Sequence, residues 1–287
     1  MSIRVETFFS QGHLIEVKVQ DNQKNQSILL VHGFNDTKET FVFLEGFLKN
    51  YFNLVSFDLR GHGNSEWKQD GLYHYSEAIL DLHNVVVNFL PEKFVLMGHS
   101  LGAGLSARYA GLQPERLKAL ICLEGFVGFQ GWEQEKKRIN SWLEQTAKIS
   151  ERIHKEPKRR ILTREDALQK LKLIYSSLPI EKVKILLDSL IREEGDGVVW
   201  KNDPRIKNTS PIPFPPEFSR FLWKDISCPV LLFFGEKTHI RPKNLGEIKS
   251  HFSNILHLEV PNAGHNMHHD NPEFIIEHLE LFLHSIL

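Results

Sequence analysis

Phe94-Val95-Leu96-Met97-Gly98-His99-Ser100-Leu101-Gly102 is the stretch on which the reading of this chain turns. Residues 94–97 are apolar and short enough for a buried strand, and Ala103 to Leu112 reads as a helix. The order strand, Gly-x-Ser-x-Gly, helix predicts a nucleophile elbow, a sharp turn that holds a serine hydroxyl out above a sheet. Both glycines follow from that geometry. The serine backbone is strained there, and a Cβ at Gly98 or Gly102 would run into neighbouring chain.

Working outward, strands and helices alternate. Arg4–Phe9 and His13–Val19 read as an opening hairpin. Ser27–Val31 and Asn53–Phe57 read as buried strands, with helices over Glu39–Asn50 and Tyr75–Leu90. Leu117–Leu123 is a further strand that ends in Glu124-Gly125. From Phe126 to Leu222 the pattern reads as helices, with Thr163 as an N-cap, apart from the proline-rich Asn208–Pro216, which reads as extended. The alternation then resumes with Cys228–Phe234, a helix from Pro242, the strand Ile255–Val260 and a closing helix from Pro272. This predicts an α/β fold of the doubly wound kind. Its core comprises residues 1–125 and 225–287, and residues 126–224 form an inserted helical cap.

The chain has 287 residues, 41% hydrophobic and 25% charged, with a formal net charge of −1. Length and apolar content suffice for a large core, and the charge balance points away from nucleic acid. The basic cluster Arg152, Lys155, Lys158, Arg159 and Arg160 reads as a solvated helix end, since no aromatic residue is interleaved with it. Cys122 and Cys228 sit in apolar runs and read as buried free thiols. The first twenty residues lack the pattern of a signal peptide, and no apolar run reaches membrane-spanning length. The expectation is a soluble cytoplasmic protein without stable membrane insertion.

A serine hydroxyl needs a base within reach, and the base needs a carboxylate to hold its tautomer. Ser100 and His265 both follow strands, at the end of the sheet where ligands gather. His265 is therefore the expected base. Glu124, directly after its strand, is the preferred acid, and Glu236, one place after Gly235, is the alternative. Thr238 stands three places after Gly235 and cannot carry a negative charge. The amides of Phe34 and Leu101 are the expected oxyanion donors. Phe34, Phe126, Trp132 and Trp142 are expected to line an apolar substrate pocket. His32, His62, His99, Asp58 and Arg60 read as structural. His268 and His269 could imitate a metal face with His265, but no acidic or cysteine partner is spaced to complete it. They read as rim residues, and no metal or cofactor is expected.

His32-Gly33-Phe34, Asp58 to Ser65, Gly98 to Gly102 and Gly264-His265, in this order, resemble the α/β-hydrolase superfamily. More narrowly, Glu124-Gly125 and Trp200-Lys201-Asn202-Asp203-Pro204-Arg205 resemble the serine hydrolase-like proteins. The resemblance implies a mostly parallel eight-stranded sheet flanked by helices, a helical cap, and a Ser-acid-His triad. Thr238 departs from the superfamily's frequent Gly-x-x-Asp. The departure favours Glu124, an arrangement similar to that of some haloalkane dehalogenases, whose aspartate nucleophile Ser100 rules out here. The expected activity is hydrolysis of small to medium, mainly apolar carboxylic esters. The alternatives are carbon–carbon bond hydrolysis or perhydrolysis by the same triad, and a ligand receptor on a hydrolase scaffold.

Overall fold

The computed structural model describes residues 1–69, 72–126, 132–153, 161–207, 210, 215–242 and 245–286. In chain order the first elements are β1 (Ser2–Ser10), β2 (His13–Asp21), β3 (Ser27–Val31), α1 (Val42–Leu48), β4 (Asn53–Phe57) and α2 (Tyr75–Phe89). Next come β5 (Phe94–His99), α3 (Leu101–Leu112) and β6 (Leu117–Leu123). The segment between β6 and the next core strand holds α4 (Trp132–Ile153), α5 (Arg164–Ile174), α6 (Ile180–Leu190), β7 (Ile191–Glu194), β8 (Gly197–Trp200) and α7 (Pro216–Trp223). The core resumes with β9 (Val230–Gly235), α8 (Leu245–Ser250), β10 (Ile255–Val260), α9 (Met267–Asp270) and α10 (Pro272–Ile286).

One eight-stranded sheet carries the fold, in the order β1-β2-β4-β3-β5-β6-β9-β10. β2 pairs antiparallel with β1 and β4, and the strands from β4 to β10 pair in parallel. β3, β5, β6 and β9 are buried along nearly their whole length, which is why they read as unbroken apolar runs rather than alternating ones. Each face has its own core. One packs Leu82, Val85, Val86, Leu105 and Tyr109 from α2 and α3. The other packs Leu44 and Leu48 from α1 with Ile275 and Leu279 from α10. Cys122 and Cys228 are buried and free.

The segment after β6 departs from the helical expectation at its middle. Ile191–Glu194 and Gly197–Trp200 form an antiparallel hairpin turned at Gly195, where φ is +57°. β-Branched Val198 and Val199 favour extended backbone, and glycine supplies the left-handed turn residue. Thr163 does cap α5, accepting a hydrogen bond from the Asp166 amide at 3.0 Å. The Glu39–Asn50 helix begins as a 3-10 turn, Lys38–Phe41, before α1.

The stretch Trp200–Arg205 is fastened to the loop after β4. The Asp203 amide donates to the Gly61 carbonyl, and the Gly63 amide to Asn202 Oδ1, each at 2.8 Å. Tyr73 donates its hydroxyl to Asp203 at 2.6 Å, and Arg205 pairs with the same carboxylate. Beneath, Arg60 binds Asp81 through two hydrogen bonds, and Asp58 accepts from both the amide and the ammonium of Lys38.

Candidate active site

Ser100 links β5 to α3 with φ +52° and ψ −115°, a conformation that costs a non-glycine residue about 1–3 kcal/mol. Close packing imposes it. A Cβ at Gly102 would stand 2.1 Å from the Val31 carbonyl oxygen, and one at Gly98 2.5 Å from the Gly102 backbone. The elbow is thus pressed against β3 and its own helix, so only glycine fits on either side. Ser100 is half-buried, and its hydroxyl has no hydrogen-bond partner among the described residues.

His265 lies on the loop after β10. Its Nδ1–H donates to Glu124 Oε2 at 2.6 Å. Glu124 directly follows β6 in a left-handed conformation, φ +62°, and is wholly buried. Its amide continues the ladder to the Phe233 carbonyl at 2.9 Å. Its carboxylate accepts from the Gly235 amide at 3.2 Å and from the Thr238 hydroxyl at 3.0 Å. A buried carboxylate is costly unless its oxygens are satisfied, and here both are. With Nδ1 committed to Glu124, the lone pair of His265 falls on Nε2, the tautomer a general base requires.

Glu236 is placed otherwise. Its carboxylate accepts from the Asn262 amide at 2.7 Å on the exposed side of the β9–β10 edge. Thr238, set aside in the sequence as a departure, is a working part of the Glu124 environment. Its neighbour-by-neighbour spacing carried no signal for that role, because the partner lies on another strand.

The amides of Phe34 and Leu101 make no hydrogen bond among the described residues. Leu101 opens α3, where the first-turn amides point out of the helix. The Phe34 loop is close by, since a Cβ on Gly33 would lie 3.2 Å from Ser100 Cβ. Phe34 is 48% exposed and meets His62 edge-on at 6.1 Å. Phe126 is a correction. It is 1% exposed and packs edge-on against Trp223 and Phe252, so it is core and offers no face to a substrate. Trp142 is half-buried on α4, with its indole nitrogen unpartnered among the described residues. The side chains of Trp132, Arg152, Lys155, Lys158, Arg159 and Arg160 lie outside the described residues, as does most of the proline-rich stretch 208–216.

The buried histidines are internal fasteners. His32 Nδ1–H donates to the Gly33 carbonyl at 2.7 Å, and its Nε2 accepts from the Leu59 amide at 2.9 Å. Burial holds its pKa well below the usual value, aided by nearby His62. His62 ties the Arg60 carbonyl to the Asn35 amide, and burial lowers its pKa to about 4. His99 Nε2–H donates to the His265 carbonyl at 3.0 Å, fixing the loop that carries His265. His268 and His269, expected at the rim, are fully buried. Both reach Thr40, at 3.0 and 3.1 Å. The sequence hides this, because α9 is too short for its periodicity to be read. Among the described residues, Asp36, His99 and His268 have metal-ligating spacing. The acid comes from the loop after β3, far away in sequence.

A family model described as the alpha/beta hydrolase fold matches residues 26–272. The chain belongs to the α/β-hydrolase fold family. This α/β-hydrolase is 26% identical over 269 residues to a serine hydrolase-like protein of Danio rerio, covering 89% of this chain and 81% of the relative. It is 28% identical over 267 residues to a serine hydrolase-like protein of Dictyostelium discoideum, covering 87% and 72%. A thioesterase domain from the curacin biosynthetic pathway shares the fold, with a TM-score of 0.81 at 21% identity over 98% of this chain and 100% of that one. Among the described residues of the α/β-hydrolase, no helix is long and apolar enough to cross a membrane.

Proposed function

We propose that this α/β-hydrolase cleaves carboxylic esters of small to medium, mainly apolar substrates through a Ser100-His265-Glu124 triad. The observation that carries the reading is the 2.6 Å hydrogen bond from His265 Nδ1 to a buried, fully satisfied Glu124, next to a strained serine elbow. Ser100 Oγ attacks the ester carbonyl as His265 Nε2 takes its proton. The amides of Phe34 and Leu101 receive the developing oxyanion, for which free backbone donors are suited. The tetrahedral intermediate collapses, the alkoxide takes the proton from His265 and leaves as an alcohol, and Ser100 is acylated. Water then attacks the acyl-enzyme, His265 taking its proton, and the carboxylic acid departs as Ser100 regains its hydrogen. Ser–His hydrogen bonds commonly tighten only once substrate is bound.

Phe34, half-exposed beside the elbow, supports an apolar acyl or alcohol subsite, and Trp142 is the candidate contribution from α4. A neutral residue at Thr238 in place of an acid would favour the receptor alternative, but Thr238 serves the carboxylate of Glu124, which weakens it. The test is turnover of a panel of aryl and alkyl esters of graded chain length by wild type and Ser100→Ala. Ser100-dependent turnover favouring short to medium apolar chains supports the proposal. Full activity in Ser100→Ala contradicts it.

A further inference from the structure

Below the loop that carries His265, three buried side chains converge from separate segments. Asp36 follows β3, His99 ends β5, and His268 lies on α9. One donor atom from each lies within 4.8 Å of the others, and the residues are 7%, 2% and 0% exposed.

The hydrogen bonds around them assign the protons. His99 Nε2 faces the His265 carbonyl, which can only accept, so Nε2 carries the hydrogen and Nδ1 is a bare lone pair. Thr40 has one hydroxyl proton and gives it to Asp36 Oδ2 at 2.6 Å. His268 Nε2, 3.0 Å from that hydroxyl oxygen, must therefore donate to it, which leaves His268 Nδ1 bare as well. Neither Nδ1 has a hydrogen-bond partner among the described residues, although both are buried. Orphaned buried acceptors are costly and uncommon in folded proteins. The approach to His99 Nδ1 is also kept open: a Cβ on Gly33 would stand 2.9 Å from it.

We propose that Asp36, His99 and His268 form a binding site for a divalent transition-metal ion, zinc being the best fit to two imidazole nitrogens and one carboxylate oxygen. Zinc binds neutral imidazole at about 2.0–2.1 Å and accepts this mixture of nitrogen and oxygen ligands. Each imidazole already has its remote N–H tied to an oxygen acceptor, and the carboxylate is held by Thr40 and by the Thr37 amide at 2.8 Å. That is the outer-shell support which orients metal ligands. Tetrahedral ligands at those bond lengths stand about 3.4 Å apart. One ligating atom of each residue lies within 4.8 Å of those of the other two, so the three side chains must draw inward to hold an ion. One coordination position remains for a solvent molecule. The ion would join the β3, β5 and α9 segments and stabilise the native chain by mass action. The proposal does not depend on the ester reaction.

The test uses full-length protein stripped with a chelator, dialysed and titrated with zinc chloride by calorimetry. Expected are one ion per chain, a rise in Tm with added zinc, and a zinc X-ray absorption spectrum showing two nitrogen ligands at about 2.0–2.1 Å. Asp36→Asn and His268→Gln should each weaken binding by tenfold or more, whereas His251→Gln and His257→Gln should not. No stoichiometric binding by folded wild type overturns the proposal. So does binding that both Asp36→Asn and His268→Gln retain. The wild-type spectrum decides the matter even if a variant fails to fold.

Discussion

Thr238 donates its hydroxyl to the same Glu124 oxygen that accepts the Nδ1 proton of His265. One oxygen thus ties β6, the turn after β9 and the loop after β10. The threonine occupies the place where an acid would serve in many relatives by resemblance, yet it acts as a donor to an acid on the neighbouring strand. Glu124 can then lie fully buried without an unpaired oxygen.

Removing that donor should slow catalysis without abolishing it. A hydrogen bond to a charged group is worth about 1.5–3 kcal/mol. Thr238→Val should therefore lower kcat/KM by roughly ten- to a hundredfold, and Thr238→Ser should restore most of it. Steady-state kinetics on an aryl ester reads both. A Thr238→Val enzyme as active as wild type would detach Thr238 from the site.

Glu124→Gln should lower kcat by about 10³–10⁴-fold, since a neutral amide neither fixes the tautomer nor stabilises the imidazolium. Glu236→Gln should stay within about twofold, because Glu236 is engaged with the Asn262 amide at the sheet edge. Kinetics of the two purified variants, each with its Tm, separates chemistry from folding.

His62 gives a pH signature to stability. The folded chain protonates it only below about 4, the unfolded chain already below about 6.5. Between those values the unfolded state holds the extra proton, so acidification favours unfolding. The contribution is constant above about 6.5 and is lost progressively toward 4, amounting to about 3 kcal/mol. Denaturant melts from pH 7.5 to 4 should show this slope, and His62→Gln should reduce it by about one proton.

Asp203 should matter for stability rather than chemistry. It is fully buried and accepts from Tyr73 and Arg205. Asp203→Asn should cost about 1–3 kcal/mol, lowering Tm by roughly 2–4 °C for each. Thermal melting measures it. An unchanged Tm would mean that the fastening of Trp200–Arg205 to the Gly61 loop carries little energy.

Much of this was legible in the residues. The apolar runs 27–31, 53–57 and 117–123 coincide with strands, because strands buried on both faces leave few other compositions open to them, and 255–260 coincides with the partly buried edge strand β10. Ser100 and its glycines announced the elbow, since sterics leave no alternative at Gly98 and Gly102. What was not legible depends on contacts between segments distant in sequence. Phe126 looked like a pocket residue, but its environment is made by Trp223 and Phe252. Thr238 looked like a loss, because its partner Glu124 is 114 positions away. His268 and His269 looked exposed, because the residues that bury them, Thr40 and Phe41 among them, come from the segment after β3, far away in sequence. The β7–β8 hairpin was missed since four-residue strands give too short a pattern to separate from helix.

The most direct measurement is the rate of covalent labelling by a fluorophosphonate probe, compared across wild type, Ser100→Ala, Glu124→Gln and Glu236→Gln. Rapid labelling of wild type and Glu236→Gln, none in Ser100→Ala and a rate reduced by orders of magnitude in Glu124→Gln is the predicted result. Equal labelling of Glu124→Gln and wild type, or labelling that survives Ser100→Ala, would contradict a serine activated through His265 by the buried glutamate.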